Sequence, residues 1–152
     1  MNKTAIIIPS HLASKRLLNK PLLKINNKSM ILHVWERAKK SNVDDIFVAT
    51  SDEDIVNEIK TNGGNVILTG DHHTTGSDRI CEAISKINSN YEIIINLQGD
   101  MPNIDPESIS NLISYMKEGK ADIGTLASSF NSNTEIADEN NVKVAVKEKL
   151  TL

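Results

Sequence analysis

The sequence predicts an α/β fold with a largely parallel sheet and helices on both faces, and three observations carry that expectation. Short runs rich in Ile and Val recur along the chain, and they are continuous rather than alternating, as in strands covered on both sides. Between the runs lie segments whose apolar residues follow helical spacing. Strand and helix therefore alternate at the spacing of right-handed βαβ crossovers.

The first apolar run is Ala5 to Ile8, followed by a polar loop and then by Ile31, Val34, Trp35 and Ala38, a helical face behind a possible N-cap at Ser29. Ile46 to Ala49 reads as the second strand, and Ile55, Val56 and Ile59 behind Asp52 as the second helix, ending at Gly63-Gly64, a left-handed stop signal. Val66 to Leu68 is the third strand, and Ile80, Ala83, Ile84 and Ile87 form a helical face with Ser77 placed to cap it. Ile93 to Leu97 is the fourth strand; Ile109, Leu112, Ile113 and Met116 follow Asp105, with Pro106 at the first helical position. Two further strands are expected at Ile123 to Leu126 and Val142 to Val146, separated by a polar surface excursion from Ser128 to Asn141.

At 152 residues, 39% hydrophobic and 24% charged, the chain fits one soluble domain, residues 1–152, with a sizeable core packed on aliphatic side chains. Its net charge of −3 gives no general attraction to nucleic acid or to an anionic membrane, so any basic site is local. The lone cysteine, Cys81, excludes an internal disulfide framework; both Cys81 and Trp35 read as core residues. The opening run is too short for a signal peptide or a membrane span, which gives a cytoplasmic expectation.

Ligands on parallel sheets bind beyond the carboxyl ends of the strands, and three loops there are chemically loaded. The first contains Pro9, Ser10, His11, Ser14, Lys15, Arg16 and Lys20. Hydroxyls, backbone N–H groups and cations of this kind can cradle a triphosphate, although charge alone fits a solvated turn equally well. The second runs from Ile95 to Pro106, where Gln98-Gly99-Asp100 places a carboxylate at the sheet's mouth. Asp100 is a candidate Mg²⁺ ligand, and an ordinary turn is the alternative. The third, Thr69 to Ile80, holds His72 and His73, which as sequence neighbours with no well-spaced third ligand do not read as a metal pair; Ser77 and Arg79 read as facing a sugar or nucleotide.

Together these stretches resemble the 3-deoxy-manno-octulosonate cytidylyltransferases, or CMP-Kdo synthetases. The family's first loop reads approximately P-A-R-x-x-S-T-R-L-P-x-K-P-L, against Pro9 to Leu22 here; its H-x-S-G-T-D/E-R corresponds to His73 to Arg79, and its N-x-Q-G-D-E-P to Asn96 to Pro102. VATSDEDI at Val48 to Ile55, Gly63-Gly64 and NVKVAV at Asn141 to Val146 add to the similarity, which covers essentially the whole chain.

The resemblance implies a Rossmann-like three-layer core and transfer of CMP from CTP to Kdo, releasing pyrophosphate, for lipopolysaccharide biosynthesis. It implies that Ser14, Arg16 and Lys20 hold the triphosphate, that Gln98 lies near cytosine and sugar, and that Asp100 binds Mg²⁺; Arg16, Lys20 and Asp100 are then the catalytic set, and Pro9, Ser10, His11, Ser77 and Arg79 complete the nucleotide site. Full-length members are homodimers. A sialic-acid-like sugar is the alternative substrate, and a non-catalytic remnant the alternative of another class. His11 stands where the family has arginine, and losing a guanidinium fork costs about 1.5 to 3 kcal/mol. Leu18, Asn19 and Met101 also depart from the pattern. Family members are longer, so this chain alone is expected to bind CTP weakly and to turn over little.

Overall fold

The computed structural model describes residues 3–13 and 17–145, and its centre is a parallel sheet of four strands. Strand β1, Thr4–Pro9, leads through the short 3₁₀ turn Lys20–Leu22 and a hairpin, β2 (Lys24–Ile25) and β3 (Lys28–Ser29), to helix α1, Met30–Ala38. Asn26 and Asn27 form the hairpin turn with φ of 50° and 64°, a pair of left-handed residues that asparagine tolerates. Then come β4 (Asp45–Thr50), α2 (Glu53–Thr61), β5 (Asn65–Leu68), α3 (Gly76–Lys86), β6 (Ile93–Asn96), α4 (Pro106–Lys117) and the short α5 (Asn133–Ala137).

The spatial order is β5-β4-β1-β6, so the chain builds outward from β1 on one side and then crosses back to place β6 on the other. Such a reversal leaves a crevice between β1 and β6 at their carboxyl ends, because the loops leaving the two strands diverge. Successive residues of β1 point to opposite faces. Ile6 and Ile8 join Ile31, Val34, Trp35, Ile55, Ile59, Ile109 and Ile113 in one core, whereas Ile7 packs with Ala49, Ile80 and Ala83 beneath α3. The three-layer arrangement is the one the family resemblance implies.

Local signals hold at the start of α4 and the end of α2, whereas Ser29 precedes α1 as expected but its side chain makes no capping hydrogen bond. Asp105 caps α4 by accepting the Glu107 N–H, and Pro106 follows it. At the end of α2, Gly63 at φ 80° lets its N–H reach the Lys60 carbonyl at 3.0 Å and the Gly64 N–H reach Ile59 at 2.9 Å. A Cβ on Gly64 would lie 2.5 Å from Ile59 Cγ2 and 3.1 Å from Trp35, so glycine there also admits the buried indole.

Four further expectations need correction. Thr75, not Ser77, caps α3: its Oγ1 accepts the Asp78 N–H, and the helix has already begun at Gly76. Cys81 is exposed, because it lies on the face of α3 away from Ile80 and Ala83. Residues 123–126 and 142–145 form no strand; Val146 lies outside the described residues. Ile123 is 89% exposed and Val142 90%: β-branched residues form strands only against a partner, and none of the described residues ladders with them. The excursion from Ser128 to Asn141 is at the surface as expected, with α5 inside it.

Candidate functional site

The β1/β6 crevice carries an open cleft of about 210 Å³, and three loops converge on it. Pro9, Ser10, His11 and Lys20 line it from the loop after β1; Gln98, Gly99 and Asp100 from the loop after β6; His73, Thr74, Thr75, Gly76 and Arg79 from the segment entering α3. Seven of the ten residues singled out from sequence, Pro9, Ser10, His11, Lys20, Arg79, Gln98 and Asp100, therefore meet at one place. Ser77 is exposed on α3 and does not line the cleft. Ser14 and Arg16 lie outside the described residues.

Two strand-end loops are held at fixed separation by backbone contacts. Ser10 donates its N–H to Ala49 at 2.9 Å, and Leu12 donates its N–H to the Asp52 carboxylate at 2.9 Å. Asp52 thus sits at the start of α2, as expected, but spends its carboxylate on the first loop rather than on its own helix. Gly99 packs against that loop: a Cβ there would be 3.0 Å from the Pro9 carbonyl oxygen, a close approach that glycine permits.

Across this contact the Lys20 ammonium donates to Asp100 Oδ2 at 2.7 Å, joining the candidate phosphate cation to the candidate metal carboxylate. Ser10 Oγ is buried and has no hydrogen-bond partner among the described residues. An unpaired buried hydroxyl beside a polar cleft is what a ligand oxygen would satisfy. Arg79, expected to face the ligand directly, is nearly buried; one guanidinium nitrogen donates to Thr69 Oγ1 and, at 3.0 Å, to the Gly70 carbonyl. Its first task is to hold the loop that carries His73.

Sequence reasoning passed over Glu82. The Glu82 carboxylate accepts the Gly70 N–H at 3.1 and 3.0 Å, pairs with Lys86 at 2.6 Å and contacts His73 Nε2. His72 stacks near His73 with ring centroids 4.3 Å apart, so the loop brings His72, His73 and Glu82 into one cluster that linear spacing gave no reason to expect. The His-x₈-Glu spacing from His73 was the available signal, but it has meaning only once the loop folds back on α3.

Lys86, then His73 and the Gly70 N–H hold the Glu82 carboxyl down to about 2, against an ordinary 4.5. A folded-state value below the unfolded one contributes stability that is present above about pH 4.5 and lost as the pH falls toward 2. The melting-temperature gap between wild type and Glu82→Gln should therefore close on acidification through that window. A gap independent of pH would contradict it.

Among the described residues no helix is long and apolar enough to cross a membrane. A sequence model of the cytidylyltransferase family matches residues 5–151. The chain is 46% identical over 139 residues to 3-deoxy-manno-octulosonate cytidylyltransferase of Fusobacterium nucleatum, covering 91% of this chain and 56% of that protein. It is 43% identical over 148 residues to 8-amino-3,8-dideoxy-manno-octulosonate cytidylyltransferase of Shewanella pealeana, covering 95% and 60%. A solved structure of CMP:2-keto-3-deoxy-manno-octonic acid synthetase complexed with CTP superimposes with a TM-score of 0.75 at 40% identity, over 79% of this chain and 49% of that one. The chain thus spans little more than half the length of the curated relatives it matches. With motif, fold and strand-end loops agreeing, the chain belongs to the cytidylyltransferase family.

Proposed function

We propose that this chain supplies the nucleotide-binding part of an enzyme that transfers CMP from CTP to an octulosonate sugar acid, Kdo or its 8-amino relative, releasing pyrophosphate. Relatives named for both sugars match it at similar identity, and the related solved structure is a CTP complex. The observation that carries the reading is the meeting of Lys20 and Asp100 across the β1/β6 crevice, with the unpaired Ser10 hydroxyl beside them.

The chemistry is in-line attack of the sugar's anomeric hydroxyl on the α-phosphorus, which needs alignment and charge neutralisation more than a covalent nucleophile. Lys20 would take a phosphate oxygen, Ser10 would donate to another, and Gln98 would orient the base or sugar. On the family resemblance, Ser14 and Arg16 would add donors from the same loop. Asp100 is a hard oxygen donor at the mouth of the sheet, half-exposed and free to exchange its ammonium partner, so it fits Mg²⁺ shared with phosphate oxygens. When bound, the ion would offset charge developing on the phosphates. On the family resemblance, the same reading adds a cytoplasmic homodimer serving lipopolysaccharide biosynthesis.

Calorimetric titration with CTP and Mg²⁺ tests it. Binding is expected, is lost in Asp100→Ala when the metal is needed, and tightens by about one to two decades in His11→Arg, where a bidentate cation is restored. Absence of CTP binding, or indifference to Asp100→Ala, would overturn the reading.

A further inference from the structure

Two residues of α3 grip the peptide groups of Gly70 from opposite sides. Arg79 donates to the Gly70 carbonyl at 3.0 Å, and Glu82 accepts the Gly70 N–H at 3.1 and 3.0 Å. The loop from Gly70 to Thr75 is thereby strapped to the helix it precedes, and its His73 lines the cleft. A Cβ on Gly70 would lie 2.5 Å from the ring of the exposed His72, so a larger residue there would have to displace that ring. The His73 side chain is only 10% exposed, and its Nε2 is committed to Glu82.

The cluster could be taken for a metal centre, since one ligand atom from each of His72, His73 and Glu82 lies within 4.8 Å of the others. The donors already present argue against it. Glu82 receives the Gly70 N–H, the Lys86 ammonium at 2.6 Å and His73, so no carboxylate lone pair is idle, and an ammonium stands where a cation would be repelled. Nε2 facing a carboxylate carries the ring proton, which leaves Nδ1 as an acceptor in the neutral imidazole. Among the described residues Nδ1 has no hydrogen-bond partner.

The geometry points to His73 as a ligand-contacting residue whose Nδ1 accepts a hydrogen bond from a ligand hydroxyl in the cleft, with Glu82 as the positioning residue that fixes its tautomer and ring orientation. The ligand half of this inference rests on the nucleotide reading of the cleft; the tautomer half does not. A hydroxyl is offered both by the ribose of the nucleotide and by the sugar acid. A carboxylate partner that holds an imidazole in one tautomer is a device used elsewhere to ready the second nitrogen for work.

Nitrogen-15 NMR of the histidine side chains, at a pH where imidazole is neutral, tests both halves. His73 is expected in the Nε2–H form in wild type and as a mixture of tautomers in Glu82→Gln. Its Nδ1 signal should move on adding CTP or Kdo; CTP against 2′-deoxy-CTP against Kdo then assigns the hydroxyl to ribose or sugar. In binding, Glu82→Gln should weaken that ligand by about tenfold, the worth of one hydrogen bond, and should have no further effect in a His73→Ala background. A merely structural Glu82 would weaken binding in both backgrounds. An Nδ1–H tautomer in wild type overturns the inference, as does a still His73 while Lys20 and Gln98 respond to the ligands, or tight Zn²⁺ capture by His72 and His73 together. If no residue responds to either ligand, the nucleotide reading falls and the hydroxyl contact with it, while the tautomer result still decides the Glu82–His73 relation.

Discussion

Lys20→Met is expected to weaken CTP binding by about ten- to a hundredfold and, in the absence of nucleotide, to tighten the binding of Mg²⁺. The opposite signs follow from one contact. In the free chain Lys20 and Asp100 satisfy each other at 2.7 Å, with their side chains 36% and 52% exposed. An ion pair that open to water is worth about 0 to 1 kcal/mol, so it is cheap to break, but it still sets a cation in front of the carboxylate. Mg²⁺ arriving alone must displace the ammonium and meets its repulsion. On the proposed function, CTP arriving with the metal would draw Lys20 to its phosphate oxygens and free Asp100, so each ligand would prepare the site for the other. Methionine keeps most of the length of the side chain and removes the charge: it abolishes a charge-assisted phosphate contact worth about 1.5 to 3 kcal/mol and leaves Asp100 without its competitor. The Mg²⁺–CTP coupling, a reciprocal quantity, should shrink accordingly. Separate titrations of Mg²⁺, metal-free CTP and the two together read all three numbers. Unchanged CTP affinity, or weaker Mg²⁺ binding in the variant, would refute the exchange.

Most of this architecture could be read from residues whose signals are local. The Ile-rich β1, the Gly63-Gly64 stop and the Asp105-Pro106 start depend on nearest neighbours, and they appear where the sequence put them. The apolar runs at 123–126 and 142–146 carry the same local signal, yet a strand is a property of a pair. Residues 122–126 border an open groove of about 640 Å³ beside β6 and α4 without joining the ladder. The site divides in the same way. Ser10, Lys20, Gln98 and Asp100 follow strand ends, so the topology delivers them to one crevice. Glu82 lies two turns into a helix and acts through His73 on a different segment; nothing in its neighbours marks it. Arg79 was legible as a polar group at a helix start, but its burial came from the loop that folds over it.

A large stability effect is expected at Ile31, and it should carry a functional signature that Ile113 in the same core lacks. Ile31 is fully buried on α1, in the core that includes Ile6, Ile8 and Leu97. Its Cδ1 would lie 3.4 Å from a Cβ on Gly99, so it forms the floor under the turn that presents Asp100. Ile31→Ala should cost about 2 to 5 kcal/mol through lost burial and the cavity left behind, out of a total stability of about 5 to 15 kcal/mol. For a chain of this size each kcal/mol lowers the melting temperature by about 2 to 4 °C, so a fall of about 4 to 20 °C is expected in calorimetry. Ile113 is the control, since it is equally buried in the same core but sits on α4 and is not among the nearest neighbours of a Cβ at Gly99. Ile113→Ala should lose comparable stability and keep its CTP affinity at temperatures well below melting. Ile31→Ala should lose affinity there too, because a cavity beneath Gly99 lets the Gln98-Gly99-Asp100 turn sink away from the Pro9 carbonyl and from Lys20. If both variants retain wild-type affinity while folded, the turn is held by its own backbone and not by the core below it.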